Sequence, residues 1–191
     1  MKIGLYFGSF NPIHVAHLII ANHVLNETEN DKLWFVVTPQ NPFKKENSLL
    51  NEYHRLKLVQ IAIEEDNRIK AVDIEFSLPK PSYTAATLMY LAEKYPEHSF
   101  RIIMGSDSFQ NLHKWKNAEF IIKNYKIYVY IRPGFEIQNT LGANQQVLDA
   151  PLLQLSSTQI RQNIKEGKSV RYLLPNKVLE EIEKGNYYKR K

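Results

Sequence analysis

Residues 2–17 read KIGLYFGSFNPIHVAH, which is the pattern of a strand, a turn and the start of a helix. The first part, Lys2 to Phe7, is a short apolar and aromatic run that predicts a buried first strand. The run ends at Gly8, and Pro12 is suited to the entry of a helix that begins near Val15. A strand and a helix in this order predict the first unit of a parallel α/β sheet.

The same alternation continues along the chain. The other predicted strands are Lys32 to Thr38, Lys70 to Phe76, Phe100 to Gly105, Tyr125 to Ile131 and, weakened by Pro151, Gln146 to Leu155. The predicted helices are Val15 to Asn26, Glu52 to Glu65, Tyr83 to Tyr95, a broken one over Ser108 to Lys123, Ser157 to Glu166 and Pro175 to Lys184. We therefore predict one α/β domain over residues 1–191, a doubly wound, Rossmann-like parallel sheet with C-terminal helices.

Composition limits the chemistry that the chain can perform. The 191 residues include no cysteine, which excludes a thiolate nucleophile, a disulfide framework and Cys-ligated metal. The formal charge of +5 is a modest excess, and part of it lies in a basic tail at about 188–191, in which we expect Lys189, Arg190 and Lys191 to be frayed. The charge therefore favours a few cations around a small anion over a nucleic-acid surface.

No stretch of the sequence predicts a membrane segment. The N-terminal apolar run is short and lacks the cleavage site of a signal peptide. Nowhere does the chain approach the roughly 20 apolar residues of a spanning helix. We expect a cytoplasmic protein without a membrane partner, and the sequence leaves a homo-oligomer open.

The loop after the first strand contains two histidines, His14 and His17. It is neither a dinucleotide fingerprint nor a Walker A loop, because the required glycines and lysine are missing. Two imidazoles near a helix N-terminus can hold phosphate oxygens. A metal site would need a further ligand, and a purely structural role is the other alternative for either histidine.

A second motif, LSSTQIR, occupies residues 155–161 after the predicted sixth strand. Ser156 and Gln159 have the spacing of a capping box, so helix initiation alone is one interpretation. The other is a phosphate site, because a helix start rich in hydroxyl groups presents donors and Arg161 adds a fixed cation. A solvated Arg161 is the alternative for that residue.

Three more strand ends carry polar or aromatic side chains. After the second strand comes PQNPFKK, residues 39–45, which is either a solvated basic turn or a source of cations for a ligand. After the third comes PSYTAATL, residues 81–88, where a hydroxyl group can cap the next helix. Asp107 follows the fourth strand and is either an N-cap or an acceptor for ribose hydroxyls. Trp115 either offers its face to a flat ring or fills the core.

These motifs resemble those of a known superfamily. GSFNPIHVAH is similar to the G-x-F-x-P-x-H-x-G/A-H signature of the adenylyl- and cytidylyltransferases, with Asn11 where aspartate is common and Ala16 where glycine is common. SSTQIR resembles the S-S-T-x-x-R motif of the same superfamily. P-x-x-P-x-K, S-Y-T-x-x-T-L, G-x-D followed by tryptophan, and R-P-G resemble the bacterial nicotinate-nucleotide adenylyltransferases. The resemblance runs from Lys2 to about Tyr187.

The resemblance implies that ATP and nicotinate mononucleotide react to give deamido-NAD and pyrophosphate. It implies Mg²⁺ as cofactor, held mainly by phosphates and water, with no ligand from the protein. The implied catalytic residues are His14, His17, Lys44 and Arg161. The implied ATP-binding residues are Gly8, Ser9, Phe10, Gly105, Asp107, Ser156, Ser157 and Thr158. Those implied for nicotinate mononucleotide are Asn41, Thr84, Trp115 and Arg132.

Three alternatives stay open at this point. Within the superfamily they are an adenylyltransferase for nicotinamide mononucleotide and one for pantetheine phosphate. The S-Y-T-x-x-T-L segment argues against the latter, whereas the former substrate differs only by an amide in place of a carboxylate. Outside enzymes, the alternative is a nucleotide- or RNA-binding module that has lost catalysis. That alternative predicts decay of the phosphate-contacting residues, yet both histidines and the S-S-T-x-x-R run are intact.

Overall fold

The computed structural model describes residues 1–42 and 49–189. Lys44, one of the predicted catalytic residues, lies outside the described residues, as do the last two residues of the basic tail. Within the described part of the chain, none of the helices has the length and apolar character needed to cross a bilayer.

The described residues form a six-stranded sheet in which each neighbouring pair is parallel. Its order is β3-β2-β1-β4-β5-β6. The strands are β1 Lys2–Gly8, β2 Lys32–Val37, β3 Ile69–Val72, β4 Ser99–Gly105, β5 Lys126–Tyr130 and β6 Gln145–Leu148. This order confirms the doubly wound prediction and reverses between β1 and β4, where sheets of this type bind their ligands.

Helices cover both faces of the sheet. They are α1 Val15–Glu27, α2 Glu52–Ile63, α3 Thr84–Lys94, α4 Ser106–Gln110, α5 Ala118–Asn124, α6 Ser157–Lys165 and α7 Asn176–Lys184, with 3₁₀ turns at Ile74–Phe76 and Leu112–Lys114. One apolar cluster joins the sheet to α1, α2, α6 and α7, and a second joins it to α3, α4 and α5. Side chains alternate between the two clusters along β2: Leu33 and Phe35 enter the first, and Trp34 and Val36 the second.

The two edge strands are shorter than the sequence predicts. The third strand ends at Val72 and is followed by a 3₁₀ turn, in which Glu75 is buried and accepts a hydrogen bond from the Thr87 hydroxyl. The sixth strand covers Gln145–Leu148 and does not reach Leu155, in keeping with the missing N–H of Pro151. The helix predicted over Ser108 to Lys123 is broken, as expected, but its first part begins two residues earlier, at Ser106.

The predicted C-terminal tail begins at a residue that contacts the rest of the fold. Tyr188, the first residue of the predicted tail, is partly buried, and its hydroxyl donates to the side-chain oxygen of Asn11 at 2.9 Å. The last described part of the chain therefore returns to the loop that follows β1.

Candidate active site

A cavity of about 600 Å³ lies at the carboxyl ends of β1 and β5 and beside the first turn of α4. It is lined by residues from five separate parts of the chain, and most of the predicted site residues are among them. Those residues are Gly8, Ser9, Phe10, His14, His17, Asn41, Asp107, Arg132, Ser156, Ser157, Thr158 and Arg161. The fold therefore brings together two motifs that are far apart in the sequence, since Arg161 bonds to Asn11, 150 positions before it.

The two histidines stack on each other at the start of α1. His14 is the N-cap residue, and His17 lies in the first turn. Their ring centroids are 3.7 Å apart, with an interplanar angle of 23°. The main-chain N–H of His14 donates to Nδ1 of His17 at 3.2 Å. Because that nitrogen accepts, the ring proton of His17 is on Nε2, which makes this side chain an N–H donor.

His14 is in a different electrostatic position. Its side chain is 4% exposed, and burial, together with the positive charge of Arg132, lowers its pKa to about 4. Its Nδ1 is buried and has no hydrogen-bond partner among the described residues. His14 is therefore neutral at pH 7, and it lines the cavity as an uncharged ring.

An aromatic floor supports the histidines. The Phe10 ring meets Tyr6, His17 and Phe35 edge to face, with centroids 5.0–5.9 Å apart. Its backbone has a φ of +43°. A Cβ atom on Gly8 would lie 2.8 Å from this ring, so only glycine fits where the strand passes it. These aromatic contacts therefore support the loop after β1.

The second motif packs directly on the first. Ser156 is the N-cap of α6, and its hydroxyl accepts from the Gln159 N–H at 3.2 Å. The capping interpretation is therefore correct. The hydroxyl of Ser157 instead donates to the carbonyl of Pro12 at 2.8 Å. The helix start thus touches the loop that carries the histidines.

Arg161 extends this contact. Its guanidinium donates to the carbonyl of Asn11 at 2.8 Å and to the Thr158 hydroxyl at 3.3 Å. Burial lowers its pKa, but an arginine stays charged at neutral pH. Arg161 therefore places a fixed positive charge beside the loop, as the second motif predicts.

A third group lies where β4 and β5 end. Arg132 and Asp107 form an ion pair of 3.4 Å at the cavity wall. Gly105 does not line the cavity, but a Cβ atom on it would lie 2.5 Å from an Asp107 oxygen and 2.8 Å from the Arg132 side chain. Gly105 thus permits this pair to form. Arg132 was predicted to bind nicotinate mononucleotide, and the structure places it in the larger cavity with Asp107.

A smaller cavity of about 110 Å³ adjoins the first. Phe7, Gly8, Asn41 and Ser108 line both cavities. The predicted residues Thr84 and Trp115 lie in the smaller one. The hydroxyl cap predicted for α3 is not formed, because its N-cap is Tyr83 and makes no side-chain capping bond.

The sequence did not single out the two ionisable side chains of this smaller cavity. Glu75 is 1% exposed, and burial raises its pKa against the opposing effect of the hydrogen bond from Thr87. Its Oε2 has no hydrogen-bond partner among the described residues. Lys116 follows Trp115, and its ammonium lies 4.5 Å from the centre of the Tyr83 ring. Glu75 fell inside a predicted strand, and no pattern in the sequence indicated a role for Lys116.

Arg55 is a third residue that the sequence did not indicate. It lies on α2, is 1% exposed, and donates to four carbonyl oxygens. These belong to Ser9 at 2.6 Å, Thr38 at 2.8 Å, Pro39 at 3.1 Å and Leu50 at 2.8 Å. One buried cation therefore fastens the loop after β1 to both described ends of the loop after β2.

A parallel sheet with this strand order, and a phosphate-type donor set at its switch point, define a nucleotide-binding α/β protein. Residues 5–163 match the model of the cytidylyltransferase-like family, and the chain belongs to that family.

Relatives place it more closely. It is 53% identical over the full length of both chains to a protein of Flavobacterium johnsoniae named "probable nicotinate-nucleotide adenylyltransferase". A protein of Cytophaga hutchinsonii with the same name is 50% identical over 98% of each chain. Among solved structures, nicotinic acid mononucleotide adenylyltransferase of Plasmodium falciparum, complexed with NaAD, superposes with a TM-score of 0.85 at 22% identity. That match covers 98% of this chain and 97% of the other, and it confirms the fold.

Proposed function

We propose that this protein transfers the adenylyl group of ATP to nicotinate mononucleotide, forming deamido-NAD and releasing pyrophosphate. The observation that carries the proposal is the pair of adjoining cavities at the switch point. The larger one has room and donors for a nucleoside triphosphate, with His17, Arg161 and the start of α6 around it. The smaller one has Trp115 and Thr84 for a flat, polar ring. Relatives that are about half identical carry the name of this activity.

The reaction requires no general base. A phosphate oxygen of nicotinate mononucleotide, already anionic, forms a bond to the α-phosphorus of ATP. The bond from that phosphorus to the α,β-bridging oxygen breaks, and its electron pair leaves with pyrophosphate. The protein's task is to align two anions and to stabilise charge as it builds.

Three side chains suit that task. His17 offers its Nε2–H group, as the bond from the His14 main chain requires. His14 offers a neutral ring at the cavity wall, which can share a hydrogen bond with a phosphate without an added charge. Arg161 supplies a permanent cation. Lys44 stays a prediction, because it lies outside the described residues.

Mg²⁺ fits this site as part of the nucleotide. When bound to the triphosphate, it would neutralise part of the charge on the pyrophosphate leaving group. The described residues contain no group of three or more His, Cys, Asp or Glu side chains that could hold a metal ion. Asp107, which lines the larger cavity, is paired with Arg132. The protein's contribution would be to bind the phosphates that carry the ion.

A cytoplasmic location stays a prediction.

The test is a pyrophosphate-release assay with ATP and Mg²⁺. Nicotinate mononucleotide, nicotinamide mononucleotide and 4′-phosphopantetheine are compared as acceptors at equal concentration. We expect the highest kcat/KM with the first. A higher value with either of the others would replace this substrate assignment, and no release with any of them would favour a binding module without catalysis.

A further inference from the structure

Tyr188, close to the C-terminal end of the chain, contacts the loop that holds the two histidines. Its backbone has a φ of +64°, and its hydroxyl donates to Oδ1 of Asn11 at 2.9 Å. Burial raises the pKa of Tyr188, against the opposing effect of the nearby Arg55 and Arg161 charges. The phenol therefore stays protonated at neutral pH and remains a donor to Asn11.

Asn11 connects three parts of the chain. Its side chain is 3% exposed, and its Oδ1 also accepts from the Leu50 N–H at 3.2 Å. Its main-chain carbonyl accepts from Arg161 at 2.8 Å. The hydroxyl of Tyr188 thus acts on a residue that joins the loop after β1, the loop after β2 and helix α6.

Other carbonyls of the same loop are held in the same way. That of Ser9 accepts from Arg55 at 2.6 Å, and that of Pro12 accepts from the Ser157 hydroxyl at 2.8 Å. The carbonyls of Ser9, Asn11 and Pro12 are therefore each hydrogen-bonded to a protein side chain. The orientation of residues 9–12 is therefore set by side chains that contact them, and Tyr188 is the one contributed by the C-terminal end.

We propose that Tyr188 is a positioning residue for the phosphate-binding loop. Through Asn11 it holds residues 9–14 in the arrangement that His14 and His17 need, so the end of the chain is part of the active-site construction. The effect on turnover rests on the proposed function, whereas the effect on the loop does not.

The experiment compares Tyr188→Phe with Tyr187→Phe in the full-length protein. Both changes remove one hydroxyl and keep the ring, but that of Tyr187 bonds to His54 Nδ1 at 2.9 Å, away from the loop. We expect Tyr188→Phe to lower kcat about fivefold, equivalent to about 1 kcal/mol, with less than a twofold change in KM for ATP. Tyr187→Phe and removal of Arg190 and Lys191 should leave kcat unchanged.

Hydrogen–deuterium exchange of the free protein gives a second readout that does not depend on activity. We expect faster exchange of the peptides that contain residues 8–14 and Leu50 in Tyr188→Phe, and no change there in Tyr187→Phe. Equal exchange and equal kcat in the two variants, at a temperature where both are folded, would overturn the proposal. If the wild type released no pyrophosphate, the proposed function would fail while exchange still decided the role of Tyr188.

Discussion

His14 and His17 are the same type of side chain, yet their surroundings give them different roles. His17 accepts a bond at Nδ1 and so presents Nε2–H. His14 is buried beside the Arg132 charge and is held neutral. One main-chain hydrogen bond and one buried position therefore fix how protons are distributed over the pair before any substrate binds.

Replacing His17 tests its part in catalysis. We expect His17→Ala to lower kcat at least about 100-fold, because a donor to the charge that develops on phosphate is lost. ATP binding, measured by calorimetry, should weaken much less. His23→Ala on the same helix serves as the control and should keep the wild-type kcat. An unchanged kcat in His17→Ala would remove this residue from the mechanism.

The low pKa of His14 predicts a pH-dependent stability. The unfolded chain binds a proton at this side chain near pH 6.5, whereas the folded protein does so only near pH 4. The contribution of His14 to the free energy of unfolding is therefore fully present above pH 6.5 and is lost as the pH falls toward 4. Between pH 7.5 and 5 the loss from His14 is about 2 kcal/mol.

Urea unfolding at those two pH values measures this effect. We expect His14→Gln to lose about 2 kcal/mol less than the wild type over that range. His23→Gln, as the control, should follow the wild type. Identical pH dependence in all three proteins would mean that His14 is not kept neutral by the fold.

The position of Lys116 predicts that this side chain favours the carboxylate of nicotinate mononucleotide over the amide of nicotinamide mononucleotide. Its ammonium lies over the Tyr83 ring and lines the smaller cavity, where the pyridine ring of the proposed substrate would lie. Lys116→Met should lower kcat/KM for nicotinate mononucleotide about fivefold, as expected for one exposed ion pair, and leave that for nicotinamide mononucleotide unchanged. Lys114→Met, an exposed neighbour, is the control. Equal losses with both substrates would contradict this role.

Helix α2 contributes to the site through one side chain. Arg55 reaches from this helix to two loops and uses its donors on four carbonyls. Lysine cannot reproduce that fork, since all its donors are on one nitrogen. The loops at the ends of β1 and β2 are thus held by a helix that does not itself line the cavities.

We expect Arg55→Lys to lower the free energy of unfolding by about 3 kcal/mol, because buried carbonyls lose bonds to a charged donor. Denaturant unfolding with the slope checked against the wild type measures it. Arg68→Lys is the matched control, since Arg68 pairs with Asp66 at the surface and should cost less than about 1 kcal/mol. A loss of similar size in both variants would show that the four buried hydrogen bonds of Arg55 stabilise the fold no more than the surface ion pair of Arg68.

The element pattern shows where sequence reasoning succeeds. The strands β1, β2, β4 and β5 are buried on both sides, so their apolar runs are nearly continuous and their positions follow from the sequence. Within the described part of the chain, the edge strands β3 and β6 each pair with one strand, and tertiary contacts decide where they end. Glu75 is the clearest case, because its bond to Thr87 depends on a helix that follows it in the chain.

The whole molecule is organised by one sheet with a core on each face. The two apolar clusters share the strands β1, β2, β4 and β5, so neither can be exposed without disturbing the sheet. We therefore expect one cooperative unfolding transition. Far-UV and near-UV circular dichroism should give the same midpoint and the same denaturant slope. Two separated transitions would contradict the prediction of a single domain over 1–191.

At this scale the sequence predicted more of the site's residues than of the bonds that hold them in place. The motifs identified the histidines, Arg161 and the start of α6, because strand ends and helix starts meet at one edge of a parallel sheet. Arg55 and Tyr188 were missed for a physical reason. A solvated arginine and a buried one have the same sequence signature, and a tyrosine near the terminus gives no sign of the partner to which it returns.

The shared wall between the two cavities has a kinetic consequence. Gly8 and Asn41 border both cavities, so reactants bound in the two cavities would be neighbours. On the proposed function, both substrates would be bound together, and the adenylyl group would pass directly from one to the other. Such an arrangement gives intersecting initial-velocity lines, in contrast to the parallel lines of a double-displacement enzyme. On the proposed function, the dinucleotide product would occupy both cavities and would therefore compete with each reactant.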